Sequence, residues 1–192
     1  MTKALIPTVF GVLAGFLATY LILGDRDIGP VIVDPPTRSA ALGSASAPRP
    51  GLEQHPAMIA ALEAELENDP ESVRLLTDIA GLYYDLQSFD RAVDYFRRAL
   101  ERNPEDVNLR TDMGTALYYL GRPDEAIGEL ERALETAPSH PLTLFNLGAI
   151  LVDARDDRER AIQLWEQLIA QNPGWEGNQT VQQEIDALRA GQ

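Results

Sequence analysis

The chain contains no cysteine, one lysine and two histidines in 192 residues, and each shortage removes a class of chemistry. Without cysteine there are no disulfides, thiolate nucleophiles, Cys-ligated metal sites or lipoprotein-type anchors. His55 and His140 each sit directly before a proline in connecting sequence, so no helix face offers a paired-His metal site, and both are expected as solvated loop residues. No glycine loop of GxxxxGK[ST] form is present to cradle a phosphate. The many carboxylates fall on repeating exposed faces, and no spacing forces one against a nucleophile or base. The composition therefore predicts neither an enzyme nor a cofactor or metal site.

Positive charge is also scarce. Lys and Arg number 16 against 30 Asp and Glu, a formal net charge of −14. Residues 51–192 hold 12 bases and 27 acids, a net of −15. A body this acidic repels phosphate backbones, which argues against nucleic acid and favours basic partners. With 45% hydrophobic and 24% charged residues, the chain has enough apolar material to fold.

One long apolar run is present. Residues 4–24 read ALIPTVFGVLAGFLATYLILG without a charge, long enough as a helix to span about 30 Å of hydrocarbon. A cleavable signal would have a shorter apolar stretch and a prompt small-residue site, whereas Ala45-Ser46-Ala47 lies far downstream, so a retained transmembrane anchor over 1–24 is expected. With Lys3 before the run, the positive-inside tendency puts residues 25–192 across the membrane. In a two-membrane bacterium this is a single-pass inner-membrane protein facing the periplasm. Gly11, Gly15 and Thr19 form a small-xxx-small stripe through which two anchors could pair as a homodimer. From 25 to 56 the sequence turns rich in Pro, Gly, Ser and Ala, the composition of a tethering linker.

The rest repeats. Pro70, Pro104 and Pro138 are spaced by 34 residues, as are the pairs Ala92/Ala126 and Ala99/Ala133. Copies align at 73–106, 107–140 and 141–174, the third carrying one extra residue in its internal turn. In the first half of each copy a large apolar stripe recurs: Leu76, Ile79 and Tyr83; Met113 and Leu117; Leu144, Leu147 and Leu151. Ala80, Gly114 and Gly148 recur at one position, where only a small side chain lets a second helix approach closely. Phe96, Leu130 and Trp165 are expected to fill the space between units, and Asp90 and Asp124 to cap the second helices. Residues 57–70 read as a half-repeat and about 179–190 as a capping helix, so the unit 57–192 is an all-α stack of three helix-turn-helix repeats with caps.

This pattern resembles the tetratricopeptide repeat (TPR) family over about residues 57–173. Arg110, at a position that family fills with a large apolar residue, and Leu168, in place of its last small residue, depart from it. The resemblance implies a groove, lined by the first helices, that takes a peptide or protein client. By position it would show Arg74, Thr77, Asp78, Tyr84 and Asp85 from the first unit, and Asn108, Thr111, Asp112, Thr115, Tyr118 and Tyr119 from the second. Phe145, Asn146, Ala149, Val152 and Asp153 would come from the third. Tyrosines among aspartates suit a basic or amphipathic client segment. The clamp that some members use for a C-terminal carboxylate needs lysine, and the groove here carries Asp instead. The implied function is a membrane-anchored scaffold in the assembly or maturation of an envelope complex. Two alternatives stand beside it: a structural subunit of a secretion, pilus or cell-wall machine using its convex face, and a holder of apocytochrome c. The second follows from AIQLWEQLIAQNPG, which resembles TPR modules of bacterial cytochrome c maturation factors.

Overall fold

The computed structural model describes residues 54–191. The apolar run 4–24 with its Gly11/Gly15/Thr19 stripe, and nearly all of the tether, lie outside the described residues. No helix among those described is long and apolar enough to cross a membrane. Eight helices follow one another: α1 His55–Leu66, α2 Val73–Asp85, α3 Phe89–Arg102, α4 Val107–Tyr119, α5 Pro123–Thr136, α6 Pro141–Arg155, α7 Arg158–Gln171 and α8 Asn178–Ala190. Each packs on the next, pairing as hairpins α2–α3, α4–α5 and α6–α7 with α1 and α8 at the two ends, and α4 also touches α6.

The periodic stripe is the core. Leu76, Ile79, Met113, Leu117, Leu144, Leu147 and Leu151 are buried, joined from the second helices by Ala92, Phe96, Ala126, Leu130, Ala161 and Trp165. The recurring small residue acts within its own hairpin. A Cβ on Gly148 would stand 2.3 Å from Trp165 Nε1, and one on Gly114 2.9 Å from Leu130 Cγ. Trp165 and Leu130 thus lie against the first helix of their own repeat. The indole N–H of Trp165 donates to the Phe145 carbonyl at 3.1 Å, so the aromatic body is buried and its one polar atom is satisfied.

The hairpin turns share one device. Gln87 and Gly121, 34 residues apart, both take positive φ (57° and 78°). Around them Gln87 N–H donates to Tyr84 O and Ser88 N–H to Tyr83 O, then Gly121 N–H to Tyr118 O and Arg122 N–H to Leu117 O. This is the Schellman pattern, which needs a left-handed residue at its centre. The extra residue of the third turn widens it: Asp156 carries the positive φ (51°) and the next amide, of Asp157, reaches back to Leu151 O.

The caps fall elsewhere than expected. Asp90 and Asp124 lie inside the first turns of α3 and α5, where a negative charge meets the positive end of the helix dipole. The side chains that cap are Asp106, accepting from Leu109 N–H at 3.0 Å, and Asp157, accepting from Arg160 N–H at 3.2 Å. At the C-terminal end, Val181 and Ile185 seat α8 while Gln179, Gln182, Gln183, Asp186 and Arg189 stay exposed, giving the stack a polar lid.

Candidate peptide-binding face

The first helices carry two kinds of polar residue that look alike in the sequence. Thr77, Thr111, Thr115 and Asn146 are buried, as are Phe145 and Ala149, and these six leave the expected groove lining. The threonines tolerate burial because each hydroxyl donates to a carbonyl four residues back: Thr77 to Val73, Thr111 to Val107 and Thr115 to Thr111. Second bonds of Thr111 and Thr115 tie α4 to α6. Thr111 Oγ1 meets Thr143 Oγ1 at 2.6 Å, and Asn146 Nδ2 donates to Thr115 Oγ1 at 3.0 Å. The His140 ring continues this ladder, with Nδ1 2.7 Å from Thr143 Oγ1 and Nε2 3.1 Å from Asn108 Oδ1. His140 is therefore a packed strut rather than a solvated loop residue, and burial holds its imidazole below the ordinary pKa. His55 is also buried, at the start of α1. Phe145 stacks on Trp165 with centroids 6.0 Å apart, both in the interior. Trp165, which carries the resemblance to cytochrome maturation modules, is thus a core residue.

The open part of the face gathers toward the C-terminal ends of α2, α4 and α6. Tyr84 meets Phe89 and Tyr119 edge-on, at 5.3 and 6.1 Å between centroids. Phe89 stacks on Tyr119 at 5.1 Å, and Tyr118 stands edge-on to Tyr119 at 5.5 Å. Tyr119 is 41% exposed, unusual for a large apolar ring and the outermost member of the ledge. The Tyr118 hydroxyl donates to the Asp153 carboxylate, bridging the second and third repeats. Burial first, then that bond, pushes the Tyr118 phenol well above its ordinary pKa. Asp85 and Asp153 are exposed beside the rings, Asp112 and Val152 half-exposed. Arg74 lies apart, at the other end of α2, where Glu65 at 2.9 Å and Asp78 at 3.3 Å engage it. Phe89 escaped the sequence reading because it opens a second helix. Its place at the turn between α2 and α3, where the chain doubles back beside Tyr84, was the available signal.

A second ring assembly was not anticipated. Tyr83 of α2 and Tyr95 of α3 stack at 5.6 Å and donate both hydroxyls to Glu63 of α1, at 3.1 and 2.7 Å. Burial, with the Glu63 bond second, raises both phenols, Tyr95 to about 12. The Arg91 and Arg98 guanidiniums lie over these rings, 6.0 Å from the Tyr83 centroid and 5.2 Å from that of Tyr95. Arg110, the departure from the apolar pattern, forms a 2.7 Å pair with Glu129 in which the side chains keep only 16% and 15% of their exposure. Among the described residues no group of three or more His, Cys, Asp or Glu is placed to hold a metal ion.

Three tetratricopeptide repeat models match the chain, over residues 54–107, 85–144 and 142–174. No curated protein matches. Among solved structures, a crystal structure of MamA superposes with a TM-score of 0.63 at 19% identity, over 76% of this chain and 86% of that one. The structure titled MamA AMB-1 superposes with a TM-score of 0.55 at 27% identity, over 61% and 69%. The first TPR of Spaghetti (RPAP3), bound to the HSP90 peptide SRMEEVD, does so with a TM-score of 0.54 at 18% identity, over 61% and 93%. Consecutive repeat matches that together run from 54 to 174, on a stack of paired helices, show that this chain belongs to the tetratricopeptide repeat family.

Proposed function

We propose that the protein is a scaffold that holds a basic or amphipathic segment of a client protein on the ledge formed by Tyr84, Phe89, Tyr118 and Tyr119 with Asp85 and Asp153. The observation that carries this reading is the exposed Tyr119 ring set beside exposed carboxylates in a body of net charge −15. An aromatic face attracts a cation through its quadrupole, and a neighbouring carboxylate accepts the cation's N–H bonds. Asp85 and Asp153 disfavour a carboxylate-rich segment on this ledge, such as the SRMEEVD peptide carried by one structural neighbour.

The apolar run at 4–24 supports anchoring in the cytoplasmic membrane with the repeat body on its outer face, where the tether sets the reach for a client of an envelope complex. Affinity purification of the full chain from native membranes, with mass spectrometry, tests the client reading. Tyr119→Ala with Asp153→Asn is expected to lose most of the partner recovered by the wild type. Equal recovery by this variant would refute the ledge as the binding site. Alkaline extraction tests the anchor separately: the full chain stays in the membrane fraction and a chain lacking residues 1–24 leaves it.

A further inference from the structure

The body spends its arginines on carboxylates, with two exceptions. Ten of the twelve form ion pairs among the described residues: Arg74, Arg97, Arg102, Arg110, Arg122, Arg132, Arg155, Arg158, Arg160 and Arg189. Arg91 and Arg98 stand over tyrosine rings instead. With 27 acids available to 12 bases, this placement is not forced by a shortage of anions. The rings beneath are themselves fixed, stacked on each other and bonded through both hydroxyls to Glu63. A guanidinium lying on a ring satisfies its face and leaves its N–H donors, which lie in its plane, for another acceptor. Both arginines are exposed, and they line an open recess of about 390 Å³ on the outer side of α3 together with Asp94, Tyr95 and Arg97.

Spacing narrows the ligand. Arg91 and Arg98 are seven residues apart on one face of α3, about 10 Å along the helix axis, and Asp94 sits between them. The central carboxylate of Asp94 repels an anion placed midway, which favours two anionic groups set apart over one. Two carboxylates about 10 Å apart meet the requirement, as on an extended segment with acids three residues apart, which spans about 3.4 Å per residue.

We propose that the outer side of α3 is a second docking surface, in which Arg91 and Arg98 grip two spaced carboxylates of an acidic protein segment. The surface lies on the second helices and the tyrosine ledge on the first, so the scaffold carries two faces of opposite charge preference. Arg97, held 3.4 Å from Asp94, keeps that acid engaged when the ligand arrives.

The test uses the full chain in detergent, with the arginine Nε–Hε signals followed by NMR. The probes are a Gly/Ser peptide carrying two glutamates three residues apart, the same peptide with the glutamates adjacent, inorganic phosphate, and vesicles containing phosphatidylglycerol. The spaced peptide is expected to move the Arg91 and Arg98 signals together and to bind about tenfold tighter than the adjacent one. Arg91→Gln with Arg98→Gln removes that preference, while Arg189→Gln, an exposed arginine on α8, retains it. The proposal is overturned if phosphate or the vesicles shift both signals as strongly as the spaced peptide. It is equally overturned if the two peptides bind alike, if nothing shifts, or if the double variant binds as the wild type does.

Discussion

Alanine placed at each helical glycine of the stack separates backbone propensity from packing, because the four positions differ in what a methyl group would meet. At Gly148 the added Cβ stands 2.3 Å from Nε1, 2.7 Å from Cε2 and 2.9 Å from Cδ1 of Trp165. Ordinary carbon contacts lie near 3.5–4.0 Å, so the indole must withdraw by roughly 1 Å. Overpacking of this kind costs about 1–3 kcal/mol. The withdrawal also breaks the 3.1 Å bond from the indole N–H to Phe145 O, which adds about 1 kcal/mol for a buried donor. Replacing a helical glycine by alanine returns about 1 kcal/mol. Gly148→Ala should therefore destabilise the fold by about 2 kcal/mol, by these terms together. At Gly114 the added Cβ meets Leu130 Cγ at 2.9 Å, its Cδ2 at 3.1 Å and the Ala126 carbonyl oxygen at 3.3 Å, and Leu130 is fully buried, so alanine there also destabilises, but by less than at Gly148, where the contacts are shorter and a hydrogen bond is lost. Gly81 and Gly128 meet nothing within 4 Å, and alanine there should stabilise by about 0.5–1 kcal/mol. Urea titration followed by far-UV circular dichroism and tryptophan fluorescence ranks the four variants. A Gly148→Ala protein as stable as the Gly114→Ala protein would show that Trp165 does not hold α6 and α7 together in this way.

The turn residues give an independent pair. Gly121→Ala, strained by φ of +78° with open space around it, should cost about 1 kcal/mol, and Gln87→Gly, at φ of +57°, should gain a comparable amount; equal urea midpoints for the two would refute the strain assignment. The half-buried pair, in which Glu129 also holds Arg132 at 2.5 Å, predicts that Arg110→Leu costs about 1–3 kcal/mol while Arg110→Leu with Glu129→Leu recovers most of it, measured as a double-mutant cycle with Glu129→Leu alone. Absorbance titration at 295 nm should find Tyr95 still protonated above pH 11. Because its folded pKa of about 12 lies above the unfolded value of 10, stability is complete below pH 10 and falls between pH 10 and 12. Glu63→Gln should bring that ionisation down, and an unchanged titration would remove Glu63 as a contributor.

The repeat architecture was legible because it is written several times over. The small residue at 80, 114 and 148, the alanine at 92, 126 and 161 and the proline closing each unit gave the succession of paired helices that is observed. The candidate face was legible only in part. Tyr84, Tyr118, Tyr119 and Asp153 converge, but Thr77, Thr111, Thr115 and Asn146 are interior. A hydroxyl or amide reads as a surface residue in composition, yet a threonine that bonds the carbonyl four residues back enters a helix-helix contact with its polarity already answered. The sequence alone cannot separate the two, since the discriminating partner, such as Thr143 for Thr111 or Asp153 for Tyr118, lies a repeat away. The Glu63-Tyr83-Tyr95 assembly was missed for the same reason, being drawn from three helices and 32 residues of separation.

The two joints of the stack are built from different materials. Where the first and second repeats meet, with α3 packed on α4, the Tyr84-Phe89-Tyr119 rings lie across the contact. Second and third repeats meet through the Thr111-Thr143, Thr115-Asn146 and Asn108-His140 bonds, each of which fails beyond a few tenths of an ångström. A client that bends the solenoid is expected to do so across the rings, with the hydrogen-bonded α4 and α6 keeping their separation. Fluorescence transfer between labels on α2 and α4 should then respond to client, and transfer between α4 and α6 should not. The ledge spans the first joint, so a client held on it touches two repeats at once and would report any change in the angle between them.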